Sequence, residues 1–238
     1  LNSENPEMLD QAWEALKGLD WGSDLAPLTA IDQAIDRAHG DSAAQAELEE
    51  KLVGLLSQTT HAGRDYICRR LVTVGSERCV AAVAGLLSDA KTCHQARLTL
   101  EQLSVPAAVT ALRTAAQSAS GAAQIGLLGS LAKLGDPAAT ELFVAAAMAQ
   151  DPELRAAGVW CLGQIGGPPA VEALAALPPT DPPAQMAITD ALLCCADRLL
   201  AAGDKTAARD LYRKFTGENQ PQHVRLAANK GILAAVRG

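Results

Sequence analysis

Leu131-Ala-Lys-Leu-Gly135-Asp-Pro-Ala-Ala-Thr-Glu-Leu-Phe143 and Leu162-Gly-Gln-Ile-Gly166-Gly-Pro-Pro-Ala-Val-Glu-Ala-Leu174 are two copies of one pattern, 31 residues apart. In each, an apolar stretch ends on glycine, proline follows two residues later, and a second apolar stretch runs to a bulky anchor, Phe143 or Leu174. Glycine ends a helix readily because it tolerates the left-handed backbone, and proline fits a helix's first turn, where its missing N–H is not needed. The pattern is therefore two helices and the turn between them. It extends in both directions: the anchors Leu48, Val83, Leu112, Phe143, Leu174 and Leu211 are spaced by 35, 29, 31, 31 and 37 residues. Repeats of this length cannot each bury a core alone, so they stack.

The expected fold class is all-α, an α-solenoid of stacked helix pairs with about fourteen helices in one right-handed stack and no sheet. First helices should end near Gly40, Gly75, Ser104, Gly135, Gly166 and Gly203. Residues 1–238 read as a single repeat domain, with 1–39 as capping helices and 40–238 as the repeats. In the cap, Asn5-Pro6 starts a helix whose apolar side carries Met8, Leu9, Ala12, Trp13, Leu16 and Leu19. After the turn Asp20-Trp21-Gly22, Ser23 is the expected N-cap of a helix carrying Leu25, Leu28, Ile31 and Ile35. Pro178-Pro179-Thr180-Asp181-Pro182-Pro183 reads as a stiff loop bridging two repeats, with a flexible linker as the other reading. Gly129 and Trp160 occupy equivalent first-helix positions, so Trp160 is expected to be buried in the room Gly129 leaves. On that reading Trp160→Ala costs about 3–5 kcal/mol.

The stretch Asp151-Pro-Glu-Leu-Arg155-Ala-Ala-Gly-Val-Trp-Cys-Leu162-Gly-Gln-Ile-Gly166 resembles the short HEAT-like repeats of bacteria first associated with phycobilin lyases. The resemblance covers roughly residues 40–238. Asp20-Trp21-Gly22, Ala96-Arg97-Leu98-Thr99-Leu100-Glu101 and His223-Val224-Arg225-Leu226-Ala227-Ala228 look most like the undescribed HEAT-repeat proteins of planctomycetes. The resemblance implies an HEAT/ARM-like fold whose second helices line the inner, concave face. The anchor alignment then names candidate partner-binding residues: Glu141, Glu172 and Arg209 two before an anchor, Glu49, Arg113 and Tyr212 one after, Glu50 and Arg213 two after. Glu49 and Glu50 make one end acidic. Arg209, Tyr212 and Arg213 make the other basic, and the middle is small and nearly uncharged.

Composition bounds the chemistry. Of 238 residues 49% are hydrophobic but only 3% aromatic, so alanine, leucine and valine must build the core. The net charge of −7 disfavours a phosphate backbone as partner, so no nucleic acid is expected. No apolar run reaches membrane-spanning length. The chain starts at Leu1, and the resembling proteins often carry an export signal, so extracytoplasmic location is the expectation. The six cysteines lack a Cys-x-x-Cys pair; they read as buried thiols, with disulfides between neighbouring repeats as the other possibility. The four histidines precede Gly40, Ala62, Gln95 and Val224, so His-Glu pairs for a di-iron site are absent, and no metal or cofactor is expected. Neither a nucleophile elbow nor a phosphate loop occurs. His94, Arg97 and Glu101 form a helical stripe: a solvated face, an arginine tied to a neighbouring repeat's carboxylate, or a partner contact. The expected function is a non-enzymatic scaffold that binds a protein partner on the concave face. The alternative is an enzyme or chromophore-handling protein of the phycobilin-lyase type.

Overall fold

The computed structural model describes residues 6–179 and 181–237. Among them are fourteen α-helices and no strand. The chain divides into two compact units, Leu1–Ala119 and Ser120–Gly238, and the division falls between helices rather than at 178–183. The first unit holds α1 (Pro6–Lys17), α2 (Thr29–Arg37), α3 (Ser42–Leu55), α4 (His61–Val74), α5 (Val80–Ala84), α6 (Cys93–Leu103) and α7 (Pro106–Ser118). The second holds α8 (Gly121–Leu134), α9 (Thr140–Ala147), α10 (Pro152–Ile165), α11 (Gly167–Ala176), α12 (Pro182–Ala201), α13 (Lys205–Arg213) and α14 (Gln222–Arg237). Within each unit helix pairs stack as in an α-solenoid: α4 on α6, α8 on α10, and α10 on α12.

All six expected first-helix ends are met, by different physics. Gly135 is left-handed with φ 68°, and Ser104 takes the same conformation with φ 52°, alone among the described non-glycine residues. Gly75 is not left-handed; there a Cβ would stand 2.3 Å from the Leu71 carbonyl oxygen, so the position needs room, not handedness. Aspartates start many helices by accepting orphan N–H groups: Asp41 from Ala43 and Ala44, Asp151 from Glu153 and Leu154, Asp204 from Ala207.

The anchors Val83, Leu112, Phe143, Leu174 and Leu211 are buried as the repeat requires. Leu48 is only half-buried, because α3 is turned by one residue and buries Glu49 and Leu52 instead. First helices approach through a column of small side chains at one register position: Cys68 and Thr99 in the first unit, Ser130, Cys161 and Cys195 in the second, all buried. The Thr99 hydroxyl donates to the Cys68 carbonyl across 3.0 Å, and the Cys195 thiol to the Leu162 carbonyl across 3.6 Å. All six cysteines are free, and five are buried.

Three sequence expectations fail. Trp160 is 51% exposed, and nothing lies within 4 Å of a Cβ built on Gly129. The 31-residue register holds, but Ser130 and Cys161, one position along, are the buried residues; a helix turns about 100° per residue, so Gly129 and Trp160 face away. Ser23 caps no helix: its hydroxyl accepts from the Asp20 N–H, while Asp24 accepts from Ala26 at the start of a 3₁₀ turn preceding α2. Met8 and Leu25, read as apolar-face residues, are exposed. Asn5 and Thr180, named above in the cap and the bridging loop, lie outside the described residues.

Candidate partner-binding surface

The candidate residues separate by register. At the position one after the anchor, Glu49 and Tyr212 are 2% and 1% exposed, so neither can serve as a surface contact. The Glu49 carboxylate accepts from the Ser76 N–H at 2.8 Å, the Cys79 N–H at 3.1 Å and the Arg78 guanidinium at 2.8 Å. It thus caps the next repeat's second helix from the preceding one. Burial opposes its charge, but the Ser76, Arg78 and Cys79 hydrogen bonds outweigh that and hold its pKa below the usual glutamate range. The same burial, with Glu49 close by, pushes the Cys79 thiol up to about 12. Tyr212 lies under α14, where a Cβ on Gly231 would meet its ring at 2.3 Å. Its hydroxyl donates to Asp197, and burial with that carboxylate raises its pKa.

The other candidates stay at the surface. Glu50, Glu141, Glu172 and Arg213 are exposed; Arg113 and Arg209 are half-buried. Glu50 lines a cleft of about 380 Å³ between α1 and α3, with Trp13, Glu14, Lys17, Glu47 and Lys51. Asp210 neutralises part of the expected basic end: its carboxylate is 3.2 Å from Arg213 Nη1 and 3.5 Å from Arg209 Nε. Glu141 on α9 and Glu172 on α11 form no ion pair among the described residues, and they stand at equivalent points of neighbouring helices. Ala145 and Ala176, four residues on, are exposed as well. A smooth strip with two unengaged carboxylates therefore runs across α9 and α11.

Several charged groups outside that set of candidates are structural. Asp32 on α2 accepts from Arg70 Nε at 2.8 Å, Arg70 Nη2 at 3.0 Å and the Tyr66 hydroxyl at 2.8 Å, joining α2 to α4. The Arg70 guanidinium also lies 3.8 Å over the Tyr66 ring. Desolvation would raise the Asp32 pKa, but Arg70 and Tyr66 bring it below the usual range. The His94, Arg97 and Glu101 stripe is ion-paired: Arg97 reaches Glu101 at 3.4 Å and His94 at 3.2 Å, and Glu101 is buried. Nothing in spacing alone marked Asp32, because its partner is 38 residues away.

Among the described residues no group of three histidine, cysteine, aspartate or glutamate side chains is placed to hold a metal ion. No described helix is long and apolar enough to cross a membrane. A second cleft, of about 370 Å³, lies between the starts of α10 and α12; Val159, Ala187 and Ile188 line it with Arg155 and Asp181.

A family model of HEAT repeats matches residues 109–193. No curated protein matches the chain. A HEAT-like repeats protein of the archaeon Thermococcus onnurineus NA1 has a similar solved structure, with 14% identity, 99% of this chain and 98% of that chain covered, and a TM-score of 0.50. An engineered protein follows with 18% identity, coverage of 97% and 69%, and a TM-score of 0.45. A chain of the CpcE–CpcF phycocyanin lyase complex of Nostoc sp. PCC7120 has 18% identity, coverage of 100% and 93%, and a TM-score of 0.44. The archaeal likeness bears on fold alone: the chain is an α-solenoid of helical repeats, of which residues 109–193 match HEAT repeats.

Proposed function

We propose that the chain is a non-enzymatic scaffold that binds a protein partner along its exposed second-helix surface, with Glu141 and Glu172 receiving cationic side chains. The observation that carries this reading is the pairing state of the carboxylates. Asp32 and Glu49 are spent on joining helices and Glu101 is paired with Arg97 within α6, whereas Glu141 and Glu172 are exposed without an ion pair among the described residues. Neighbouring packed helices lie about 8–10 Å apart, and an extended segment covers that distance in about three residues. Basic residues at that spacing would meet both carboxylates, and Ala145 and Ala176 leave room for the backbone between them.

The test is affinity capture with the intact chain and with the Glu141→Lys, Glu172→Lys double variant, followed by mass spectrometry. A partner held by this surface should bind the double variant about tenfold more weakly, about 1.4 kcal/mol. Helical content should be unchanged. Partners retained equally by both forms would end the proposal. A tetrapyrrole absorption band on the purified chain would favour the chromophore-handling alternative instead.

A further inference from the structure

We infer that the outward face of α14 is a second docking site, for an amphipathic helix of a protein partner with an aliphatic seam and acidic flanks. The helix has two opposed faces. Val224, Ala228, Gly231 and Ala235 are buried against the rest of the second unit, in which α14 packs on α12 and α13. Leu226, Leu233 and Val236 stand on the other side, 62%, 54% and 68% exposed. Leu226, Asn229, Leu233 and Val236 follow alternating spacings of three and four, the spacing that keeps one seam facing a partner helix.

The repeat itself says what belongs there. Val224-Arg225-Leu226-Ala227-Ala228 aligns with Leu154-Arg155-Ala156-Ala157-Gly158, which places Leu233 at the position of Gly163. In α10 that position is buried: a Cβ on Gly163 would lie 2.9 Å from Ala191 Cα of α12. Helix α10 thus has neighbours on both sides, α8 and α12, whereas among the described residues α14 packs on α12 and α13 alone at comparable extent. The open side of α14 is built like a surface that takes a helix, and it presents leucine where α10 has glycine.

Charge selects the occupant. Within a chain of net charge −7, residues 222–237 contain no aspartate or glutamate but carry Arg225, Lys230 and Arg237. Lys230 and Arg237 follow the seam residues Asn229 and Val236 directly, and both are exposed without an ion pair among the described residues. A second copy's α14 on the same seam would bring these cations together, so the charge opposes self-pairing and favours glutamate or aspartate beside the partner's seam. The surface is distinct from the strip on α9 and α11 and does not depend on it.

The probe is a labelled peptide of about 21 residues, with leucine at the seam and glutamate beside it, compared with the same peptide carrying lysine there. Fluorescence anisotropy with the whole chain should show the glutamate peptide binding at least tenfold more tightly. Leu226→Ser with Leu233→Ser should abolish that binding with the circular dichroism spectrum intact. Lys230→Glu with Arg237→Glu should reverse the preference, which a merely structural role for these residues would not do. Glu141→Lys with Glu172→Lys should leave the peptide's affinity unchanged. Equal binding of both peptides, or binding indifferent to the leucine pair, overturns the inference. So does absent peptide binding with retention on phosphatidylserine vesicles, or with self-association in sedimentation, that the leucine pair removes; the surface would then belong to a membrane or a second copy.

Discussion

Glu49 and Trp160 show how burial decides a residue's worth. Glu49 looks like an exposed acid on a second helix, yet its carboxylate satisfies two backbone N–H groups of the next repeat. Glu49→Ala leaves those donors buried without acceptors, and each such loss costs about 1–3 kcal/mol. A combined loss of about 3 kcal/mol in urea unfolding is expected. A change below about 0.5 kcal/mol would show that water replaces the carboxylate there. Trp160 is the reverse case. The residue is half in solvent, so Trp160→Ala should cost no more than about 2 kcal/mol, below the loss expected of a buried ring. A loss of several kcal/mol would mean that the ring is covered.

Helices approach in this protein where side chains are smallest. A Cβ on Gly158 would come within 2.2 Å of the Ala147 backbone nitrogen, so α10 rests directly on the end of α9. Backbone cannot rotate aside as a flexible side chain can. Gly158→Ala should therefore push α10 from α9 and cost about 3 kcal/mol, although alanine is the better helix former by about 1 kcal/mol. Gly129→Ala is its control: it meets nothing within 4 Å and should stabilise the protein slightly. Equal effects of the two substitutions, read as thermal midpoints, would contradict the packing described. Tyr212→Ala belongs with Gly158 as a packing change, since the ring supports α14 at Gly231.

At the scale of the whole molecule, the acid response should start in the first unit. Asp32 and Glu49 both lie there, and both have folded-state pKa values held below their ordinary ones. A depressed carboxylate pKa stabilises the fold above the ordinary range, and that stability is lost as pH falls through the range and below it. Unfolding followed by tryptophan fluorescence, to which buried Trp13 of the first unit contributes, should show the midpoint dropping from about pH 5 downward. Asp32→Asn with Glu49→Gln should be less stable at neutral pH and less sensitive to acid. Parallel pH dependence of the two proteins would show that these carboxylates are not the linked groups.

The repeat, the helix ends and most of the core were legible in the sequence, because they depend on contacts within one unit. Gly135 must turn left-handed, proline must sit in a first turn, and Phe143 and Leu174 must be covered wherever their helices lie. Which face of a helix meets the neighbouring repeat was not legible. A step of one residue turns a side chain by about 100°, and the alignment of unequal repeats leaves that step open. The 35-residue spacing from Leu48 to Val83 hid the inward turn of Glu49, just as the 37-residue spacing before Leu211 preceded the burial of Tyr212 beneath α14. The tertiary structure also decided which charges are spent. Asp32 finds Arg70, and Asp197 finds Tyr212, only once separate helices are packed side by side. Local sequence specifies the elements because their energetics are short-range; the free surface is what remains after long-range pairing, and only the packed chain reveals it.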